Sequence, residues 1–174
     1  MGADVEGGSL GPAEDSSMIP KKIARFLEGA TVAIGGSRDE NLVPHAHRIS
    51  GWRVGPDEQT MTCLVAEGFT ENLLPSLEDN GQFALTVCEV PSHETYQFKG
   101  NYVGSRPIDE KDLAVYELYR RRFVERVCEL FGFPEDRVRT YLPHPCLAID
   151  FRVREIYLQT PGPGAGSRLV PREE

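Results

Sequence analysis

Residues 82–89 read Gln82-Phe83-Ala84-Leu85-Thr86-Val87-Cys88-Glu89. Phe83, Leu85 and Val87 alternate with Ala84, Thr86 and Cys88. That period of two belongs to an extended strand that buries one face. Asn80-Gly81 just before it is a helix stop signal, and Pro91-Ser92-His93 just after it turns the chain. A further strand is predicted over residues 94–104, placing Tyr96 and Phe98 on one face and Gln97 and Lys99 on the other.

The same punctuation extends upstream. A helix is expected over residues 71–79 with Thr70 as its N-cap. A strand over residues 60–66 precedes it, and Gly55-Pro56-Asp57 is a strong turn. Another strand runs over residues 43–54, with Arg48 in phase with Ala46, Ser50 and Trp52. The polar turn 38–41 joins it to a strand over residues 31–36, where Val32 and Ile34 alternate with small residues. Pro20 opens a helix over residues 21–28, with Ile23, Phe26 and Leu27 as its apolar stripe and Gly29 as its stop.

Downstream, the longest helix is predicted over residues 109–131. Leu113, Tyr116, Phe123, Val127, Leu130 and Phe131 form its apolar side. Asp109, Glu110 and Asp112 sit at its positive end. A short turn or helix follows from Pro134. The final strand, 146–158, carries Leu147, Ile149, Phe151 and Val153 on one face. Its phase slips at Arg154-Glu155, where a β-bulge is expected. Six strands joined mostly as hairpins point to a mainly β fold: a closed or nearly closed antiparallel barrel with helices outside.

The chain has 174 residues, which suits one domain. That domain is expected over residues 18–160, between a disordered acidic arm (1–17) and an irregular tail (161–174). Residues 1–17 and about 163–174 are expected to be dispensable for folding, being too poor in apolar groups to offset ordering. The net charge of −8 argues against nucleic-acid binding. No apolar run approaches the roughly 20 residues of a membrane span, and the N-terminus has no signal-peptide pattern, so the cytoplasm is expected. The four cysteines, Cys63, Cys88, Cys128 and Cys146, are scattered and read as reduced core thiols. Apolar residues on both faces of strands such as 60–66 call for cover on each side, and suggest a homodimer.

No G-x-S-x-G, P-loop, H-E-x-x-H or G-x-G-x-x-G signature is present. His45 and His47 alternate on one strand face within reach of one ion, but two histidines do not complete a metal site, and solvent or partner contact is the favoured reading. His93 and His144 could join them only through the fold. Arg48 offers a donor fork suited to phosphate. Gln97 and Lys99 place an amide beside an ammonium on one strand face.

Taken in order, these pieces resemble the pyridoxamine 5′-phosphate oxidase-like, FMN-binding split-barrel family over roughly residues 20–160. The resemblance is carried by the leading helix, HRISGW (47–52), CLVAEGFTENLLPSLEDNG (63–81), FALTVCEV (83–90) and ETYQFKG (94–100). It implies a six-stranded antiparallel split barrel with peripheral helices, a homodimer, and FMN held in a cleft shared by two subunits. By position it implies that Arg48 contacts the FMN phosphate. Ile49 and Ser50 would line the ring through their backbone, and Val65 and Ala66 would border the flavin. Gln97 would contact the ring, and Lys99 is an additional contact. The family's basic pair at the start of the next helix is replaced here by Thr70-Glu71-Asn72, leaving Thr70 and the helix end as the remaining donors. The functional expectation is an FMN-binding protein, a flavin-dependent oxidoreductase of unassigned substrate. The alternatives are a non-catalytic haem- or flavin-binding protein, and a stress-type dimer with a vestigial cleft.

Overall fold

The computed structural model describes residues 18–29, 32–66 and 68–169. The expected N-terminal arm and the last residues of the expected tail, 170–174, lie outside the described residues. In chain order come helix α1 (Lys21–Gly29), strands β1 (Val32–Arg38), β2 (Pro44–Val54) and β3 (Thr60–Ala66), helix α2 (Leu73–Asn80), and strands β4 (Gln82–Cys88) and β5 (Thr95–Pro107). Helices α3 (Glu110–Phe131) and α4 (Glu135–Arg139) and strand β6 (Pro145–Leu158) complete them.

The strands close into a barrel in the order β1-β2-β3-β6-β5-β4, each antiparallel to both neighbours. Closure leaves no edge strand in the order of the sheet, although β6 runs beyond its pairing with β3. The alternation read from the sequence sets the inside. Phe83, Leu85, Val87, Tyr96 and Phe98 point into the barrel with Met61, Cys63, Val65, Ile149, Phe151 and Val153. Met18, Ile19, Ile23 and Leu27 join the same core, so α1 is part of the barrel's packing. The Ile19 amide donates to Glu58 O and the Trp52 indole donates to Leu27 O, fixing α1 to β2 and its hairpin.

Helix α3 lies outside the barrel. Tyr116 covers Leu64 and Ala148, while Tyr119 and Val124 pack with Val138 and Leu142. Gly51 makes this close approach possible: a Cβ there would sit 3.3 Å from both Leu64 Cδ1 and Val115 Cγ1, at φ +142°. The apolar side expected for α3 is corrected here. Leu113, Leu130 and Phe131 are exposed, and Tyr119 and Val124 take the buried positions. The second half of the helix packs on α4 and Leu142 instead of on the sheet, which rotates the buried stripe.

Asp109 caps α3 and forms a reciprocal capping box with Asp112. Asp112 is fully buried and receives the fork of Arg106, with one bond of 3.1 Å from Nη2 to Oδ1. Arg53 Nη2 lies 3.6 Å from the same carboxylate.

A second correction concerns α2. It begins at Leu73 with Asn72 as N-cap and no side-chain cap bond, so Thr70 is not the cap. Pro75 gives the reason. In a helix capped at Thr70, Pro75 would need an amide it lacks and its ring would strike the carbonyl of Glu71. Starting at Leu73 places Pro75 in the first turn, where no bond is required.

The bulge expected at Arg154 is present: Lys99 pairs with Glu155 and Gly100 with Val153, so Arg154 is the extra residue of the bulge. Gly100 is needed opposite it, because a Cβ there would lie 2.0 Å from Arg152 O. The segment after Leu158 is irregular but attached. β3 pairs with β6 only as far as Arg152, and residues 167–169 return along the open side. Leu158 N donates to Ser167 O, Leu169 N donates to Ile156 O, and Arg168 meets Glu155 at 3.0 Å. No helix among the described residues is long and apolar enough to cross a membrane.

Candidate functional site

The barrel registers line up one row on its outer face. Arg48 pairs with Ile34, Ile34 with Thr86, Thr86 with Gln97, and Gln97 with Tyr157. Paired residues point to the same side of a sheet. Arg48 and Gln97, 49 positions apart in sequence, therefore share one surface, three strand steps or about 14 Å apart at roughly 4.8 Å per step. The adjacent outer row is Ala46, Gly36, Ala84 and Lys99. Its small side chains form a flat shelf beside the polar row, and a Cβ on Gly36 would meet nothing closer than 3.9 Å. Ile34, 42% exposed, stands uncovered between Arg48 and Thr86.

Arg48 also marks a change of partner. β2 pairs with β1 over residues 44–48 and with β3 over residues 49–54, with a bulge between Ile49 and Trp52. The strand thus leaves one neighbour for the other at Arg48-Ile49. The bulge breaks the expected phase, so Trp52 packs between the barrel core and α3 and does not continue the Arg48 face. The Arg48 guanidinium lies over the Phe123 ring at 5.7 Å, a cation–π contact that orients it beneath α3. Its Nε is buried without a hydrogen-bond partner, and among the described residues no carboxylate pairs with it. Burial pushes the Tyr119 hydroxyl's pKa up, and the Arg48 charge beside it works the other way.

Gln97 Nε2 donates to Thr86 Oγ1 at 3.1 Å, which fixes the amide on the outer face. Lys99 is exposed, with Nζ 4.6 Å from the centre of the Tyr157 ring. Ile49 and Val65 are in the barrel core, and Ala66 is fully buried. Their side chains cannot meet a ligand on the outer face. Ser50 is buried too, with its hydroxyl donating to Pro143 O. Thr70 lies in the loop ahead of α2, and its carbonyl accepts from Leu73 N. The row therefore unites Arg48, Gln97 and, one row over, Lys99, while the side chains of Ile49, Ser50, Val65 and Ala66 are buried.

His47 is buried and both ring nitrogens are committed. Nδ1 lies 2.9 Å from Phe69 O, a pure acceptor, so Nδ1 carries the proton. Nε2, 2.7 Å from Ser37 Oγ, then accepts from the hydroxyl. Burial lowers the pKa of His47, in keeping with this neutral form. His47 thus ties β1 to the loop before α2. His45 Nε2 lies 3.5 Å from Asp39 Oδ2 at the surface. His144 donates to Pro145 O, and His93 occupies the turn between β4 and β5 at φ 58°. Among the described residues no group of three metal-ligating side chains occurs.

No family model matches the chain, and neither does any curated protein sequence. Solved structures do: 46 chains match. HupZ of Group A Streptococcus aligns with a TM-score of 0.50 at 16% identity, over 86% of this chain and 99% of its own. An FMN-binding protein from Syntrophomonas wolfei aligns at TM-score 0.46 and 14% identity, over 76% and 81%. HutZ, the haem storage protein from Vibrio cholerae, aligns at 0.40 and 12%, over 80% and 94%. Others are of the pyridoxamine phosphate oxidase and general stress protein kinds. The fold is a six-stranded antiparallel split barrel with peripheral helices, and the likeness to HupZ is one of fold.

In this split barrel, Arg48 sits where the barrel divides, at the handover of β2 from β1 to β3. Sequence reasoning missed Thr86, Ile34 and Tyr157 as members of its row, and Phe123 as the ring under its guanidinium. The signal for them is strand register. It emerges only once β1 is known to bridge β2 and β4, a pairing of residues about 50 positions apart.

Proposed function

We propose that the protein binds FMN across the outer row from Arg48 to Gln97, in a cleft completed by a second copy of the chain, and acts as a cytoplasmic flavin-dependent oxidoreductase. The observation that carries this reading is the row itself. It sets one guanidinium, without a carboxylate partner among the described residues, and one fixed amide about three strand steps apart, beside a shelf of small side chains. That span suits a phosphate at one end and a planar ring at the other. The residues fit the group: the Arg48 Nε is a buried donor with no hydrogen-bond partner among the described residues, and in the adjacent row only Gly36 and Ala84 lie between Ala46 and Lys99.

Arg48 holds the phosphate by charge-assisted bonds. Gln97, pinned by Thr86, presents the rest of its amide to the ring edge. Lys99 adds positive charge beside it, favouring an electron-rich ring. Ile34 and the Gly36–Ala84 shelf exclude water once a second subunit covers them. The flavin, when bound, supplies the hydride or electron chemistry, and the protein supplies position and field. Support for the second subunit is the uncovered apolar Ile34 beside the shelf. Support for a reducing compartment is that Cys63, Cys88 and Cys128 form no disulfide among the described residues, although only Cys63 is the buried core thiol expected.

The test is a visible spectrum after FMN and haem are separately added to purified protein and excess is removed. Retained flavin bands support the reading. A Soret band with no retained flavin overturns it in favour of a haem-binding split barrel, and a colourless protein leaves the vestigial dimer.

A further inference from the structure

A second cleft, of about 500 Å³, opens between α1 and α3 over the Trp52–Val54 end of β2. Its size is within the roughly 300–1,000 Å³ of small-molecule sites. Leu27 forms one wall, Val115 and Leu118 the other, and the Trp52 and Tyr119 rings meet edge to face at 5.4 Å in its lining. Neither Arg48 nor Gln97 lines it.

The polar lining is unequal. Arg53 and Arg122 bring two guanidinia, and Glu28 brings one carboxylate. Arg53 is under-used. Its Nε is buried without a partner, and its contact with Asp112, at 3.6 Å, exceeds hydrogen-bond length. Asp112 already accepts three bonds, from both Nη atoms of Arg106 and from the Asp109 amide, so its single charge is shared between Arg106 and Arg53. Arg122 spends one N–H on the Glu28 carbonyl, and among the described residues it has no carboxylate partner. An apolar cleft with two incompletely paired guanidinia and one acid carries a surplus positive charge.

We propose that this cleft binds a small apolar monocarboxylate, its hydrocarbon or aromatic body against Trp52, Val115 and Leu118 and its carboxylate on Arg53 and Arg122. Planar guanidinia match a carboxylate in two-point contact, and the apolar walls strengthen that pairing by lowering the local dielectric. The site is separate from the flavin surface and stands whether or not FMN binds.

Trp52 is the only tryptophan in the chain and lines the cleft, so it reports occupancy directly. Phenylbutyrate, transparent where tryptophan is excited, is titrated against wild type, with phenylbutyramide as the neutral counterpart. A saturable change in Trp52 emission is expected for the acid, with binding of the amide at least about tenfold weaker. Arg53→Met and Arg122→Met should each weaken the acid by about tenfold, the scale of one charge-assisted bond. Leu118→Glu, at a part-exposed helix position that tolerates a charge, should abolish binding while the thermal melt stays cooperative. No saturable change for wild type, equal binding of acid and amide, or indifference to both arginine variants overturns the proposal.

Discussion

Arg48 on β2 and Gln97 on β5 occupy one cross-strand row of the barrel's outer face, linked through Ile34 and Thr86. The two residues become neighbours on a surface because β1 pairs with both β2 and β4. The row explains why Arg48 has no carboxylate partner among the described residues: its neighbours along the row are an isoleucine and a threonine.

Ile34 is the most direct handle on the second subunit. It is exposed in the middle of the row, where an apolar side chain gains nothing from water. Ile34→Glu should turn a dimer into a monomer without loss of the cooperative melt, since the residue points away from the core. Light scattering at micromolar concentration gives the answer. A wild type that is already monomeric contradicts the shared cleft.

Asp112 anchors the N-terminus of α3 to Arg106. The Arg106 guanidinium beside it holds its carboxyl below the ordinary value near 3.8. Asp112→Asn keeps the shape and removes the charge, and should cost about 2–3 kcal/mol at neutral pH by chemical denaturation. A depressed carboxyl contributes stability that is present above its unfolded pKa and lost as pH falls through the folded one. The gap between wild type and variant should therefore hold at pH 5 to 7 and close below about pH 4. A constant gap down to pH 2 would show that the carboxylate's charge is not what matters.

His47 acts in the opposite range. Burial lowers its pKa, so between its ordinary 6.5 and the folded value the unfolded chain binds the extra proton. Stability is then full above about pH 6.5 and falls as the solution is acidified. His47→Gln can still donate to Phe69 O and accept from Ser37, but does not titrate. Its melting temperature should fall less than that of wild type from pH 7 to 5. Parallel curves would place the acid sensitivity elsewhere.

The bonds of residues 167–169 to β6 set up a test of whether the C-terminal segment is dispensable, as its composition suggests. A chain ending at Gly162 loses the Ser167 and Leu169 bonds to β6 and the Arg168–Glu155 contact. It should melt several degrees below a chain ending at Leu169. Equal melting temperatures would mean the return strand adds nothing.

The barrel was legible because its signals are local. The alternation in residues 82–89 and 94–104, the turn at Gly55-Pro56-Asp57 and the phase slip at Arg154 all report on a few consecutive residues, and each appears where expected. The misses share a different cause. The start of α2 depends on Pro75, five residues beyond the attractive cap at Thr70. The buried side of α3 depends on α4 and Leu142, which no helical period can encode. The candidate site was half legible. Arg48, Gln97 and Lys99 were singled out by residue type, but their shared surface rests on the β1–β4 pairing that closes the barrel. Ile49, Val65 and Ala66 have buried side chains, which leaves only their backbone for the ring contacts that the resemblance implies.

The most direct measurement is a titration of FMN and riboflavin, by flavin fluorescence, into wild type and Arg48→Ala. If Arg48 anchors the phosphate, its loss should weaken FMN by about 10- to 150-fold, the equivalent of roughly 1.5–3 kcal/mol for charge-assisted bonds. Riboflavin lacks the phosphate and should bind both proteins alike. Equal losses for the two ligands, or no FMN binding to wild type, would contradict the account.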